Sequence, residues 1–118
     1  MPAGGVQSRP VDLTHLATYT GGDSALNAEV LQLFLDQSVL LLRQLQTALE
    51  ARDQKAWHAV AHSLKGASRG IGAFALADAA ADAETALTEN GQDALRALHA
   101  LNNRAHAVQL FIEAYLGR

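Results

Sequence analysis

The chain of 118 residues contains no cysteine, and this absence excludes several kinds of site at once. Disulfides, thiolate nucleophiles and cysteine-ligated metals all need a thiol. Aromatic residues make up only 5% of the sequence, whereas alanine is common. Alanine favours closely packed helices over sheets, which are rich in β-branched and aromatic side chains. No stretch alternates apolar and polar residues as a strand does, so we expect an all-α protein.

Strong positive charge and long apolar runs are also missing. The formal net charge is −3, which argues against nucleic-acid binding because such binding needs a strongly basic surface. The apolar runs, such as residues 39–42, are short, and no secretory signal is visible. We therefore expect a cytoplasmic protein without direct membrane insertion, built as one domain with one core.

The spacing of apolar residues predicts five helices joined by short connections. Residues 1–10 lack periodicity and contain Gly4-Gly5 and two prolines, so we interpret them as a disordered leader or linker before a domain at 11–118. A short helix is predicted after Asp12, followed by helices over about 25–51, 54–70, 73–89 and 92–116. Short connections make neighbours antiparallel, so we expect an up-down-up-down four-helix bundle with a short extra N-terminal helix.

Several positions are assigned to the core by this spacing. Phe34 and Leu41 belong to one apolar row of the long 25–51 helix, and Gln37 stands between them. A polar amide on a buried row must find a partner or reach the rim. Gln37 is therefore either a site residue or a partly exposed helix position. Phe74 and Leu95 are expected to point into the core.

One face of the helix predicted over 54–70 carries cations and imidazoles but no carboxylate. A glycine inside a helix costs about 0.5–1 kcal/mol relative to alanine, so Gly66 suggests that a bulky group approaches beside His62, with Lys65 supplying positive charge. Alternatively, Gly66 begins a helix end that Gly70 and Gly72 complete. At 3.6 residues per turn the polar face holds Lys55, His58, His62, Lys65, Gly66 and Arg69, opposite Trp57, Val60, Ala61, Leu64, Ala67 and Ile71.

The histidine at the middle of this face begins a longer pattern. It reads His62-x-Leu64-Lys65-Gly66-x-Ser68-x-x-x-Gly72-Ala73. The pattern resembles the signature of the histidine phosphotransfer (Hpt) domain of multistep phosphorelays, and the resemblance covers about residues 11–116. Further matches are Phe34-Leu35-Asp36-Gln37, the Asp53 cap, and Leu76 with Glu84, whereas Ala83 stands where the family commonly has leucine.

The resemblance implies a phosphorelay intermediate. His62 would accept a phosphoryl group on a ring nitrogen from an aspartyl phosphate of one receiver domain and pass it to an aspartate of another. Lys65 is placed to offset the negative charge of that group, and Gly66 leaves room for it. Gln37 would lie beside His62 and orient the phosphoryl group or the lysine.

Three further residues are assigned to partner binding. His58 and Arg69 lie one turn before and two turns after His62 on the same face. Ser68 either shapes the site or hydrogen-bonds to the backbone four residues earlier. The partners implied are receiver domains of a hybrid sensor kinase, a response regulator or both.

No cofactor is expected in the domain itself. The resemblance implies that the receiver partner supplies Mg²⁺ and an acidic pocket, while this chain supplies the nucleophile. No glycine-rich nucleotide loop is present, so we expect a carrier without kinase activity rather than an enzyme. We expect a monomer, either free-standing or as the cytoplasmic domain of a larger membrane-bound hybrid kinase.

Two other interpretations of the same residues stay open. His58 and His62 are four residues apart and can ligate a metal if carboxylates or further histidines such as His15, His99 or His106 converge on them. Alternatively, the domain is a helical interaction module that binds its partner without phosphorylation. The intact His62, Lys65 and Gly66 favour phosphotransfer over both.

Overall fold

In a computed structural model, the described residues, 9–88 and 91–118, form five helices and no strand. Helix α3 packs against α2 and α4, helix α5 packs against α4 and α2, and the short α1 contacts α2. This confirms the predicted four-helix bundle with an extra N-terminal helix. The helices are α1 Leu13–Thr20, α2 Ser24–Ala51, α3 Gln54–Gly70, α4 Phe74–Ala83 and α5 Gln92–Tyr115. Most of the predicted leader, residues 1–10, lies outside the described residues.

Aspartates begin the first three helices. Asp12, Asp23 and Asp53 each accept a hydrogen bond from the backbone amide three residues later, at 2.9–3.1 Å. A side chain at this position satisfies one of the free N–H groups of the first turn. Gly21, with φ 69°, ends α1. These boundaries agree with the prediction because the residues that set them are local in sequence.

The core lies where the apolar rows of the helices meet. Trp57, Ala61 and Leu64 of α3 have no exposed surface. Burying a large apolar side chain stabilises a fold by about 1.5–3 kcal/mol, so this face of α3 anchors the helix. The rows packed around it include Leu31, Phe34, Leu41 and Leu45 of α2, Leu76, Ala77 and Ala80 of α4, and Leu98, Leu101, Val108 and Ile112 of α5.

Gln37 does not lie on the buried row of α2, which agrees with the alternative of an exposed helix position. Its side chain is exposed, and Ser38 takes the buried position between Phe34 and Leu41. The Ser38 hydroxyl donates a hydrogen bond to the Leu35 carbonyl at 3.0 Å, which makes its burial tolerable. A spacing of four residues from Phe34 reaches Ser38, so the helix period supports either position.

Two predicted core residues lie at the surface instead. Phe74, the first residue of α4, is exposed, and the His15 ring packs edge-on against it with ring centroids 5.0 Å apart. Leu95 near the start of α5 is also exposed. Ala94 and Leu98, on either side of Leu95 in the sequence, are buried, so Leu95 lies outside the buried row of α5.

Helix α4 ends at Ala83, six residues before its predicted end. The indole of Trp57 donates a hydrogen bond to the Ala83 carbonyl at 2.5 Å, and Leu87 is buried beyond the helix end. Trp57 is distant in the sequence, and Leu87 lies beyond the end of the helix. No glycine or proline at the boundary itself predicts that α4 ends there. The predicted stop at Asn90-Gly91 lies partly outside the described residues, and Gly91 precedes α5 with φ 72°.

Helix α2 is long and apolar enough to cross a membrane by length and composition, which its short apolar runs did not predict. The core helix of a bundle passes the same test. Leu31, Leu41 and Leu45 of α2 are buried in the common core. Other apolar side chains of α2, namely Leu33, Val39 and Leu40, are more than half exposed, so packing within the bundle accounts for only part of its apolar character.

Candidate functional site

The predicted phosphoacceptor, His62, lies at the middle of α3 on its polar face. Its side chain is 65% exposed, while its neighbour Ala61 and Leu64 two residues on are fully buried. Lys65 follows on the same face, with its side chain only 20% exposed. The helix thus presents the imidazole to solvent and keeps the lysine close to the protein surface.

A carboxylate from another helix lies at the centre of this face. Glu84, the residue just after α4, has Oε1 2.5 Å from Lys65 Nζ and 3.5 Å from His62 Nδ1. Its Oε2 lies 4.0 Å from His58 Nε2, and its side chain is 14% exposed. The polar face of α3 itself carries no carboxylate, as predicted, and the residue that follows α4 supplies one.

Two consecutive residues of α3 hold the end of α4 in this place. Trp57 donates its indole N–H to the Ala83 carbonyl, and His58 Nδ1 lies 3.1 Å from the Glu84 carbonyl. The last carbonyls of a helix have no partner within the helix, so side chains or water must satisfy them. Here α3 provides a donor to each of the two carbonyls, and the Ala83 carbonyl also accepts a hydrogen bond from the Ala86 amide at 3.0 Å. Glu84 is thereby held against α3.

The Glu84 carboxyl is ionised near neutral pH. The hydrogen bond from Lys65 lowers the pKa of Glu84 below its ordinary value, and the positive charges of Lys65 and His62 act in the same direction. Burial acts in the opposite direction but is outweighed. The Lys65 ammonium has three N–H donors, so its contact with Glu84 leaves others for a ligand.

The position of Glu84 also bears on which His62 nitrogen carries the proton. A carboxylate only accepts hydrogen bonds, and it lies beside Nδ1. It therefore favours the tautomer with hydrogen on Nδ1, which leaves the lone pair on Nε2. Since the His62 side chain is largely exposed, that lone pair is accessible to a reacting group from solvent or from a partner.

Gly66 lies in open space. A Cβ atom added there would meet no other atom within 4 Å, so nothing inside the protein requires a glycine at this position. Gly72 differs, because it has φ 81° and a Cβ there would lie 2.6 Å from the Asp12 carbonyl oxygen. Gly66 therefore continues α3 and does not begin its end, which comes at Gly70.

The structure does not support the assignment of Ser68 to partner binding, because Ser68 is fully buried. Its hydroxyl makes no hydrogen bond, so the bond to the backbone four residues earlier is also absent. That Ser68 shapes the site from the buried side stays a prediction. Ser68 follows Leu64 by four residues and therefore shares the buried face of α3. The spacing in the sequence alone therefore indicates this buried position.

The remaining predicted residues lie outside the cluster. Arg69 is exposed near the end of α3, and Gln37 is exposed on α2. Within the described part of the chain, Gln37 makes no hydrogen bond to His62 or Lys65. Glu84 instead orients Lys65, although neither spacing nor periodicity in the sequence places it opposite His62. The only available signal was its match to a family glutamate.

The described residues contain no group of three or more metal-ligating side chains arranged to hold an ion. The rings of His58 and His62 lie nearly parallel, with centroids 6.4 Å apart. Glu84 is the carboxylate that a metal at these two histidines would need, and it is paired with Lys65. This geometry suits a reactive imidazole better than a metal centre.

Comparison with known proteins agrees with the geometry. The Hpt domain family matches residues 29–114, which include the whole cluster of His58, His62, Lys65 and Glu84. The fold is similar to the crystal structure of histidine-containing phosphotransfer protein B (HptB) from Pseudomonas aeruginosa PAO1, with a TM-score of 0.81 and 27% sequence identity. That alignment covers 91% of this chain and 94% of the other. A comparison with curated protein sequences gives no match.

Proposed function

This chain belongs to the Hpt domain family, the histidine phosphotransfer carriers of two-component signalling, and from that premise we propose that His62 is its phosphoacceptor. One observation carries the proposal. The His62 imidazole is exposed, and the Glu84 carboxylate lies 3.5 Å from Nδ1, so the reactive lone pair is directed to Nε2. A neutral imidazole with a free nitrogen needs no separate base to act as a nucleophile.

In the proposed reaction, Nε2 of His62 attacks the phosphorus of an aspartyl phosphate on a receiver domain. The new N–P bond forms as the P–O bond to the aspartate breaks, and the electron pair of that bond leaves with the aspartate carboxylate. The phosphorylated ring carries positive charge, which the Glu84 carboxylate beside Nδ1 offsets. Transfer to a second receiver is the same exchange in the opposite direction.

Lys65 supplies positive charge to the phosphoryl oxygens. Its ammonium is held by Glu84 at 2.5 Å, so it is fixed near His62 rather than free in solvent. Phosphoryl transfer depends mainly on positioning and charge stabilisation, and a pre-placed cation serves both. Arg69 and Gln37, which are exposed, are proposed as weaker contacts of the phosphoryl group or of the receiver.

Gly66 lets the receiver approach. It follows His62 by four residues and therefore lies beside it on the same face of α3. Its Cα faces open space, and internal packing does not call for a glycine there. A side chain at this position would project toward the group that reacts with His62.

The partners follow from the family, whose domains interact with receiver domains of kinases and response regulators. The proposal assigns Mg²⁺ to the receiver and no cofactor to this chain, which acts as a monomeric carrier in the cytoplasm without an ATP site of its own. A carrier of this kind needs only an accessible nucleophile and a fitting surface, and the polar face of α3 offers both.

Phosphorylation by a receiver tests the assignment. The purified domain is incubated with a phosphorylated receiver and Mg²⁺, and any label is tested for acid lability and mapped. We expect acid-labile, base-stable label on His62. The variant His62→Gln should accept none, whereas His99→Gln, which changes another exposed histidine, should accept as much as the wild type.

The two variants also separate the alternatives. Because His62 is exposed, His62→Gln should keep the fold and its unfolding free energy within about 0.5 kcal/mol. Equal labelling of His62→Gln and wild type would reject His62 as the acceptor. A folded wild-type domain that no receiver labels would instead support a helical interaction module that works without phosphorylation.

A further inference from the structure

We propose that His58 is a positioning residue for the phosphoacceptor, and that it acts by holding Glu84 in place. The proposal rests on the assignment of His62 as the phosphoacceptor and extends it to a second histidine. His58 lies one turn before His62 on the polar face of α3, and its side chain is 54% exposed. Such a residue is not needed for the core, so its contacts have to be explained differently.

The main contact of His58 is with backbone. Its Nδ1 lies 3.1 Å from the Glu84 carbonyl oxygen. A carbonyl only accepts hydrogen bonds, so Nδ1 of His58 must carry the hydrogen. This bond satisfies a carbonyl at the C-terminal end of α4, where no partner exists within the helix. The imidazole therefore acts as a cap for α4 supplied by a neighbouring helix.

The bond matters because Glu84 comes just after the last residue of α4. The helix ends at Ala83, and residues 86–88 that follow are neither helix nor turn. Trp57 fixes the Ala83 carbonyl, and His58 fixes the next one along the chain. Without His58, the backbone of Glu84 loses this bond to α3, and the carboxylate is tied to the helix only through Lys65 at 2.5 Å. The carboxylate is then held less firmly beside His62.

A second contact is weaker. His58 Nε2 lies 4.0 Å from Glu84 Oε2, which is too long for a hydrogen bond. Lys65 and His62 face the other carboxylate oxygen, at 2.5 Å and 3.5 Å. His58 therefore orients Glu84 chiefly through the backbone, and Glu84 passes that orientation to both Lys65 and His62.

Three substitutions separate these contacts. His58→Asn places an amide N–H close to the position of Nδ1, so it retains the donor to the Glu84 carbonyl. His58→Gln places its amide near the position of Nε2 and loses that donor. His58→Leu removes both contacts at similar size. The matched control is His99→Leu, which replaces an exposed histidine outside the cluster.

The first readout needs no partner. The long-range ¹⁵N–¹H spectrum of the imidazole side chains shows which nitrogen of His62 carries hydrogen. In the wild-type domain we expect Nδ1–H to predominate at His62. This fraction should fall in His58→Leu and His58→Gln and recover in His58→Asn. A packing role for His58 would not change the His62 tautomer.

The second readout is the rate of transfer from a phosphorylated receiver. We expect His58→Leu and His58→Gln to lower the maximal rate by about tenfold with little change in the KM for the receiver, because the nucleophile is misplaced while the docking surface is kept. His58→Asn should regain most of the rate. Circular dichroism and thermal unfolding check that each variant folds.

Several results would overturn the proposal. One is a wild-type transfer rate and a wild-type His62 tautomer in His58→Leu. Another is a His58→Asn variant as slow as His58→Leu. A third is a raised KM with an unchanged maximal rate, because that result would place His58 in direct contact with the receiver. Failure of the wild-type domain to accept phosphate on His62 would reject the phosphoacceptor assignment instead. The tautomer measurement would still decide whether His58 positions Glu84.

Discussion

Helix α3 has a buried face and an exposed polar face, and neighbouring residues of the chain alternate between them. Trp57 and Ala61 are fully buried, while His58 and His62, each the next residue along, have side chains 54% and 65% exposed. Successive residues of a helix point about 100° apart, so the two sets separate cleanly. The buried face sets the stability of the bundle, and the polar face carries the proposed phosphotransfer site.

The two faces meet at the end of α4. Trp57 belongs to the buried face and bonds the Ala83 carbonyl, whereas His58 belongs to the polar face and lies against the next carbonyl. The placement of Glu84 therefore depends on one residue from each face. Substitutions at this point should therefore affect both stability and transfer.

The largest effect on stability is expected from Trp57→Ala. It removes a fully buried aromatic side chain and its hydrogen bond to Ala83, so we expect a loss of about 3–5 kcal/mol in the free energy of unfolding. Urea denaturation measures this loss. The control Lys55→Ala, at an exposed position of the same helix, should stay within about 0.5 kcal/mol. A loss below about 1 kcal/mol for Trp57→Ala would show that the buried face does not anchor the helix.

A smaller loss is expected where α3 connects to α4. Gly72 has φ 81°, and a Cβ there would lie 2.6 Å from the Asp12 carbonyl oxygen. Gly72→Ala should therefore cost about 1–3 kcal/mol in the free energy of unfolding. Gly70→Ala is the matched control, because a Cβ at Gly70 meets nothing within 4 Å. Equal stability of both variants would contradict the strain at Gly72.

The sequence predicted features that depend on local spacing. Asp12 and Asp53 cap helices as expected, and α3 has its predicted bounds. The family resemblance is also confirmed, since it rests on a compact pattern around His62. These predictions succeed because cap residues and helical periodicity act within a few residues of the chain.

The errors lie where distant parts of the chain determine the outcome. The end of α4 is set by the Trp57 indole, 26 residues earlier in the sequence, so local signals placed it too late. Glu84 joins the site only because that helix end is held against α3. Ser68 was assigned by its family position although its spacing from Leu64 puts it on the buried face. The role of Gln37 stays a prediction.

Gly66 offers a test that separates stability from transfer, because two substitutions at this position should change different properties. Gly66→Ala should raise the free energy of unfolding by about 0.5–1 kcal/mol, because alanine is the better helix former and its Cβ meets no atom within 4 Å. Gly66→Leu should keep the fold but slow transfer from a phosphorylated receiver, since its side chain blocks the approach to His62. Denaturation and transfer rates are measured on the same samples. An unchanged transfer rate in Gly66→Leu would contradict the close approach of a receiver at this position.

The smallest expected effect is on the loss of folding stability at acid pH. Lys65 is the main cause of the lowered pKa of Glu84, so their pairing stabilises the fold fully above the ordinary carboxyl value of 4.5 and is lost as pH falls through the lowered value. In Lys65→Met this cause is gone, and the burial that raises the pKa of Glu84 is opposed only by His62. We therefore expect the unfolding free energy of Lys65→Met to fall less than that of the wild type as pH drops below 4.5.

Because both side chains of the pair reach solvent, the difference should be modest and should shrink with added salt. Urea denaturation across this acid range measures it. Arg69→Met is the control, since this exposed cation of the same helix has no carboxylate partner among the described residues and should leave the acid dependence unchanged. If Lys65→Met and Arg69→Met lose stability equally with acid, the Lys65–Glu84 pair contributes nothing to the fold. Its purpose would then lie entirely in holding the lysine and the carboxylate beside His62.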